Sequence, residues 1–424
     1  MHAVRESRRG WPRHASMRSR ATGGALLIGA LALVAAACQP VTAPPPPQPV
    51  SQYCAPSTPV TAVDYQADFD NLRTTYTEWA SADGAIPVSL PDGRTVWMFG
   101  DTFAGKVDPG GAIDTADPLI HNSFVVQNGA CFQPLMGGAP LARQALIPNP
   151  APNEFYWPAS AVVSSGGATL QVLVWHMLQT SGGLNFQTLG MEMATFSLPN
   201  LQFETVQPLP FSFDAVTMPY GATALANTGP GGDGNIYLYG SYKENVYVAR
   251  APATQNLTTS SAWQFYTGAD VATPADPANW SSDSSAAQPT TWLNFTPLSF
   301  LGAAGLPNEG PFAQPWVLPY KTGGDAFLAT AKSADAFSTD VSVFTAPDPW
   351  GPFTYQPPAP VNDTPNTSTQ VSYGAFSLHP VSANPVIVYS TNINTLAQLS
   401  GTPQPPYSTQ EYGPRFVAPE SPLP

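Results

Sequence analysis

Few side chains in this 424-residue chain can move a proton, since only 10% of it is charged and it holds 28 Asp and Glu, 15 Lys and Arg, and 5 His. Three acids stand in patterns that could do chemistry. Asp83 opens an Asp83-Gly84 pair, Asp101 closes the apolar run Val96-Trp97-Met98-Phe99-Gly100, and Glu309 begins Glu309-Gly310-Pro311. Two carboxyl groups facing each other across a bond, roughly 5–5.5 Å apart or 6.5–9.5 Å apart, are what glycoside hydrolysis requires. Each acid also has a plainer use. Asp-Gly is a turn, Gly100-Asp101-Thr102 can tie its own corner, and Glu309 between Pro307 and Pro311 reads as a loop acid. A Gly-Asp-Thr corner can equally aim its carboxylate inward, and that reading is preferred for Asp101.

Other chemistries have less to stand on. Beyond an amino-terminal leader the histidines are His121, His176 and His379, none at metal-ligand spacing, so no zinc site is expected. No G-x-S-x-G occurs, and Gly229-Pro230-Gly231-Gly232-Asp233-Gly234-Asn235 lacks the Gly-Lys-Ser/Thr of a phosphate loop and reads as a hairpin turn. No cofactor is expected; a structural Ca²⁺ is left open, without an EF-hand pattern to hold it. His121, after Asp114-Thr115-Ala116-Asp117-Pro118, is expected to line a pocket, and His176 to be a hydrogen-bonded core residue. Glu154, Glu192 and Asp214 are weaker candidates, and alternation in Met191-Glu192-Met193 puts Glu192 on an exposed face. Trp157, Tyr220 and Trp316 each begin a candidate inner strand and are expected to offer ring faces to sugars. The net charge of −13 argues against nucleic acid and for a neutral ligand.

These residues need elements to hold them. Short apolar and aromatic runs recur near residues 96, 170, 236, 326 and 386, each bounded by turn residues, and they read as buried strands. A second element follows several of them: a strand, a Pro-marked turn and an aromatic edge strand, as in Val248–Pro252 with Trp263–Tyr266, Val343–Pro347 with Trp350–Tyr355, and Ala194–Pro199 with Phe203–Val206. Repeats that cannot bury their own faces imply a radial array. The expected fold is all-β, a five-bladed β-propeller over residues 60–418 with a C-terminal tail at 419–424. A pair of β-sandwiches is the alternative.

Residues 1–37 carry basic Arg18 and Arg20, an apolar run from Gly23, and Val34-Ala35-Ala36-Ala37 before Cys38, the pattern of an export signal. The Cys after small residues resembles a bacterial lipoprotein signal, which implies lipidation of Cys38 and anchoring at the outer face of the cell membrane; simple secretion is the alternative. Met17 could serve as the start. Removing the leader takes away six basic residues and one acid, leaving 9 against 27 and a net charge of −18. Residues 38–59 hold eight Pro and read as a tether. Cys54 and Cys131 then remain and are expected to pair as a disulfide.

The stretch Asp83–Phe103, with its Trp97-x-Phe99-Gly100-Asp101-Thr102 core and the following His121-Asn122-Ser123-Phe124-Val125-Val126, resembles a family of secreted bacterial five-bladed propellers long described as a domain of unknown function. The resemblance extends to Ala194–Pro199 and Pro414-Arg415-Phe416-Val417. It implies kinship with enzymes that hydrolyse D-arabinan. More distantly, blade one is similar to that of arabinanase and xylosidase propeller glycosidases, which implies Asp83 as general base and Glu309 as acid. Trp157-Pro158-Ala159-Ser160 offers no third carboxylate where those enzymes have one. The expected protein is a monomeric cell-envelope hydrolase of an arabinan-like polysaccharide, with Asp83 as base and Glu309 or Asp101 as acid. The alternative is a non-catalytic propeller that binds glycan or protein at the envelope.

Overall fold

All five recurring apolar runs become the second strand of a sheet. The computed structural model describes residues 52–114, 116–181, 186–211, 220–242, 245–268, 279–293, 315–319, 327–332, 341–356, 370–378, 385–393, 408–409 and 412–418. Within them, five sheets follow one another along the chain, antiparallel except where Trp292–Leu293 joins the fourth sheet in parallel with Phe353–Tyr355. Each begins with a leading strand, respectively Ile86–Ser89, Glu154–Val163, Thr223–Asn227, Trp316–Pro319 and Gln370–Ser377. The second strands are Thr95–Phe99, Thr169–Gln179, Asn235–Tyr242, Phe327–Lys332 and Ile387–Ile393. The Pro-marked segments form third strands, and Gln202–Pro208, Gln264–Tyr266 and Phe353–Tyr355 follow them as fourth strands. Only the first is an edge strand as expected, since Trp280–Ser281 and Trp292–Leu293 pair on the outer side of the other two.

The leading strands touch in a closed order, first to second, second to third, and so on until the fifth returns to the first. Each sheet therefore has a neighbour on both faces. In the second sheet Val172, Val174 and Phe196 pack in the apolar cluster shared with the first sheet, whereas Leu173, Met191 and Met193 pack with the third. Burial on both faces is why these strands are apolar throughout rather than alternating. The mostly β content agrees with the sequence reading.

One helix, Ala62–Thr75, stands apart from that reading. Thr61 and Asp64 cap it reciprocally, and its buried residues Tyr65, Phe69 and Leu72 lie at helical spacing. It packs on the last strand, Gly413–Val417, where Phe416 stacks on Phe69 with centroids 5.1 Å apart. Trp97 and Phe99 of the first sheet meet the same Phe69 at 5.3 and 6.1 Å. The start and end of the folded chain thus share one aromatic core. The strand Tyr53–Cys54 extends the first sheet by pairing with Cys131–Leu135, and the disulfide joins Cys54 to Cys131 across that pair. The leader, Cys38 and the Pro-rich tether lie outside the described residues. No helix among the described residues is long and apolar enough to cross a membrane.

Candidate active site

Asp83 and Asp101 are brought together by their own backbones. The Asp83 N–H donates to the Asp101 carbonyl at 3.1 Å, and the Gly100 N–H donates to the Asp83 carbonyl at 2.8 Å. The chain can make this approach because of two glycines. Gly84 has φ +98°, and a Cβ there would lie 3.2 Å from the Gly100 nitrogen. A Cβ on Gly100 would lie 2.6 Å from Asp83 Oδ1 and 3.4 Å from Trp157 Cδ1, so the Asp83 carboxyl rests directly over the bare Gly100. Thr102 locks the corner, its hydroxyl donating to the Gly100 carbonyl at 3.0 Å and sharing a hydrogen with Ser123 Oγ at 2.8 Å.

The two carboxyl groups have different surroundings. Asp101 Oδ1 accepts the Trp157 indole N–H at 2.7 Å and lies 2.8 Å from His121 Nδ1. Both partners take the same oxygen, which leaves Oδ2 unengaged among the described residues. About a quarter of the Asp101 and His121 side chains is exposed. His121 is steadied from beneath, its ring stacked on Phe155 with centroids 3.9 Å apart. Its neighbour Asn122 is fully buried and donates to the carbonyls of Ile147 and Tyr156, tying this corner to the leading strand of the second sheet.

Asp83 is held from the other side, by the fifth sheet. Tyr373 of that sheet's leading strand donates to Asp83 Oδ2, and Tyr412 donates to the Asp101 carbonyl at 2.6 Å. The Gly84 N–H donates to Ser390 Oγ at 2.8 Å. Burial, and then the negative charge of Asp101, push the Asp83 carboxyl up to about 7, against the opposing pull of the two phenols. Burial, with the Asp83 charge, keeps Tyr373 and Tyr412 well above the ordinary phenol range, so both remain donors. The two neighbouring carboxyl groups thus have unlike settings: Asp83 is desolvated and held by phenols, and Asp101 is about a quarter exposed and engaged through one oxygen by Trp157 and His121.

Trp157 continues outward into Phe186, which meets it edge-on at 4.8 Å and is 38% exposed. Among the residues singled out from the sequence, Asp83, Asp101, His121 and Trp157 converge here. Tyr220 and Trp316 do not. Tyr220 is buried against Trp263 and Phe265, and Trp316 is buried with its indole N–H donating to the Ser377 carbonyl at 3.0 Å, so neither ring has a face to offer a sugar. Glu309 and His379 lie outside the described residues. Glu192 is half-buried and bonded to His176 and Tyr156, contrary to the exposed position expected from alternation, because both faces of its sheet are covered. Tyr373, Tyr412 and Phe186 carried no signal of their own in the sequence. Among the described residues no group of three or more His, Cys, Asp or Glu is placed to hold a metal ion.

The chain is a mostly β protein of consecutive sheets. Residues 66–419 match a family described as a domain of unknown function, DUF5005, and the chain belongs to that family. No curated protein sequence matches it. Among solved structures it is similar to a Bacteroides ovatus protein provisionally assigned as a hydrolase, at 22% identity and a TM-score of 0.55, covering 83% of this chain and 88% of that one. That likeness supports the fold. Weaker likenesses are to an exo-β-1,3-galactanase of Phanerochaete chrysosporium (12% identity, TM-score 0.43, 87% of this chain and 64% of that one). Another is to a GH43_1 enzyme of Xanthomonas citri (15% identity, TM-score 0.41, 85% and 93%).

Proposed function

We propose that this protein is a glycoside hydrolase built on a five-bladed propeller, with Asp83 and Asp101 as its carboxyl pair. The observation that carries the reading is the division of their environments. A desolvated carboxyl with a raised value beside a second, partly exposed one is an arrangement that suits a division into acid and base roles. Asp83, raised to about 7, is suited to hold a proton and give it to the leaving oxygen. Asp101, with Oδ1 occupied and Oδ2 unengaged among the described residues, is suited to serve as the carboxylate on the other side of the bond. This exchanges the roles expected from the resemblance, in which Asp83 is the base. The anomer of the first-formed product distinguishes a nucleophile at Asp101 from a general base.

The substrate we infer is a neutral, arabinan-like envelope polysaccharide, stacked on Trp157 and Phe186. The strongly acidic chain disfavours an anionic one. Export, with lipid attachment at Cys38, fits the leader and the formed disulfide. The test is incubation with a panel of neutral and anionic envelope polysaccharides. Wild type is expected to release oligosaccharide, with Asp83→Asn and Asp101→Asn each reducing release by about a hundredfold or more. Release that survives both substitutions refutes the site. Binding without release from any glycan would make the protein a binding module.

A further inference from the structure

The strand that presents Phe155 and Trp157 to the acid pair also carries Glu154 and Tyr156, which alternate with them and face the other way. In the second sheet Tyr156 stands directly across from His176. Glu154 is paired with Leu178 and Glu192 with Val174, each two residues from His176, so both are diagonal neighbours of the imidazole on one face. His176 Nε2 lies 2.8 Å from Glu154 Oε2, and Nδ1 lies 2.8 Å from Glu192 Oε1. Tyr156 donates to the remaining Glu192 oxygen at 2.9 Å. Burial and the Glu192 charge raise the Tyr156 phenol, which keeps it a donor. His176, Glu154 and Glu192 are 16%, 28% and 19% exposed, so water competes little for these bonds.

Ionised carboxylates can only accept hydrogen bonds, and a neutral imidazole has one donor and one acceptor. Two carboxylates on one ring are both satisfied when both ring nitrogens carry hydrogen. We propose that His176 is a positioning residue, donating from both nitrogens to clamp three adjacent strands of the second sheet and so hold Phe155 and Trp157 against His121 and Asp101. The consequence for rate rests on the hydrolase reading; the clamp itself rests only on the geometry. Its effect reaches the site through one strand, because moving Glu154 or Tyr156 moves the residues between and beside them.

The test uses the full chain and two readouts. The Trp157 indole N–H is observed by NMR, assigned by its loss in Trp157→Phe, and sugar release is measured in parallel. In His176→Phe the indole resonance is expected to move and its hydrogen exchange to speed up by about tenfold or more as its bond to Asp101 loosens. Sugar release falls by about tenfold to a hundredfold in kcat with little change in KM, since small misplacements near the reacting groups carry costs of that order. In Glu154→Gln a neutral ring can accept from the new amide while still donating to Glu192, so the indole resonance is retained. An unchanged Trp157 resonance in folded His176→Phe overturns the proposal. Should that variant not fold, ¹⁵N shifts of the wild-type His176 ring decide: two hydrogen-bearing nitrogens support the clamp, and a bare nitrogen overturns it. If wild type releases no sugar from any glycan, the hydrolase reading fails while the indole readout still tests the clamp.

Discussion

Replacing Tyr373 with phenylalanine separates the acid role of Asp83 from the base role. Tyr373 donates to Asp83 Oδ2, and such a bond favours the carboxylate over the acid. A hydrogen bond to a charged group contributes about 1.5–3 kcal/mol, and one pKa unit corresponds to about 1.4 kcal/mol. Its loss should therefore lift Asp83 by about one to two units, starting from a value of about 7. If Asp83 is the acid, kcat/KM of the wild type holds steady below pH 7 and falls as pH rises through about 7. In Tyr373→Phe that alkaline limb moves upward. A base at Asp83 would instead give an acidic limb near pH 7. Stability supplies a readout that needs no substrate. A carboxyl raised by burial contributes stability that is fully present below the unfolded value of about 4. That contribution is lost as pH climbs through the folded value of about 7. Tyr373→Phe should deepen the loss between pH 5 and pH 9 by about 1.5–3 kcal/mol, read from urea midpoints. An alkaline limb that stays in place or moves down, with an unchanged pH dependence of the midpoint, would refute the reasoning.

Gly100→Ala should put a methyl group 2.6 Å from Asp83 Oδ1 and force the carboxyl off its seat over residue 100. We expect kcat/KM to fall by about tenfold to a hundredfold, with a stability loss of about 1–3 kcal/mol; full activity in steady-state assays would show that the Asp83 position is not critical. Cys54→Ser with Cys131→Ser opens a link spanning 77 residues of sequence and should lower the unfolding free energy by about 2–4 kcal/mol, seen in urea titration. Because the pair lies at the outer edge of the first sheet, sugar release at 25 °C should change little. Glu78→Gln removes the charge that receives the buried Arg143 and should cost about 3–5 kcal/mol, measured by thermal unfolding.

How much of this could be read from the chain depended on how far apart the interacting residues stand. The second strands were legible because burial on both faces makes them continuously apolar, a local property. The Gly-Asp-Thr corner was legible for the same reason: Gly100, Asp101 and Thr102 interact with each other and with close neighbours. The helix Ala62–Thr75 was missed although Thr61 and Asp64 form a reciprocal cap, because its interior mixes Asp, Gln, Asn and Arg with few apolar residues. Tyr220 and Trp316 misled because the start of a strand does not say which way a ring turns. His176 and its two glutamates share a face only once the pairing register of three strands is known.

The partners of Asp83 illustrate the same limit and say something about how the site is made. Tyr373 lies 290 residues away in sequence, and Tyr412 lies 311 residues from Asp101, so neither has a local signature. Both arrive only when the fifth sheet closes on the first, where Ser81 Oγ donates to the Tyr412 carbonyl and Arg73 reaches Thr409. Burial is the largest cause of the raised Asp83 value. Before closure Asp83 would stand in water as an ordinary ionised carboxylate, unable to hold a proton at neutral pH. The acid of the proposed pair is therefore a product of ring closure, and a substitution at the junction, far from any substrate, should weaken catalysis through the Asp83 proton before it unfolds the sheets.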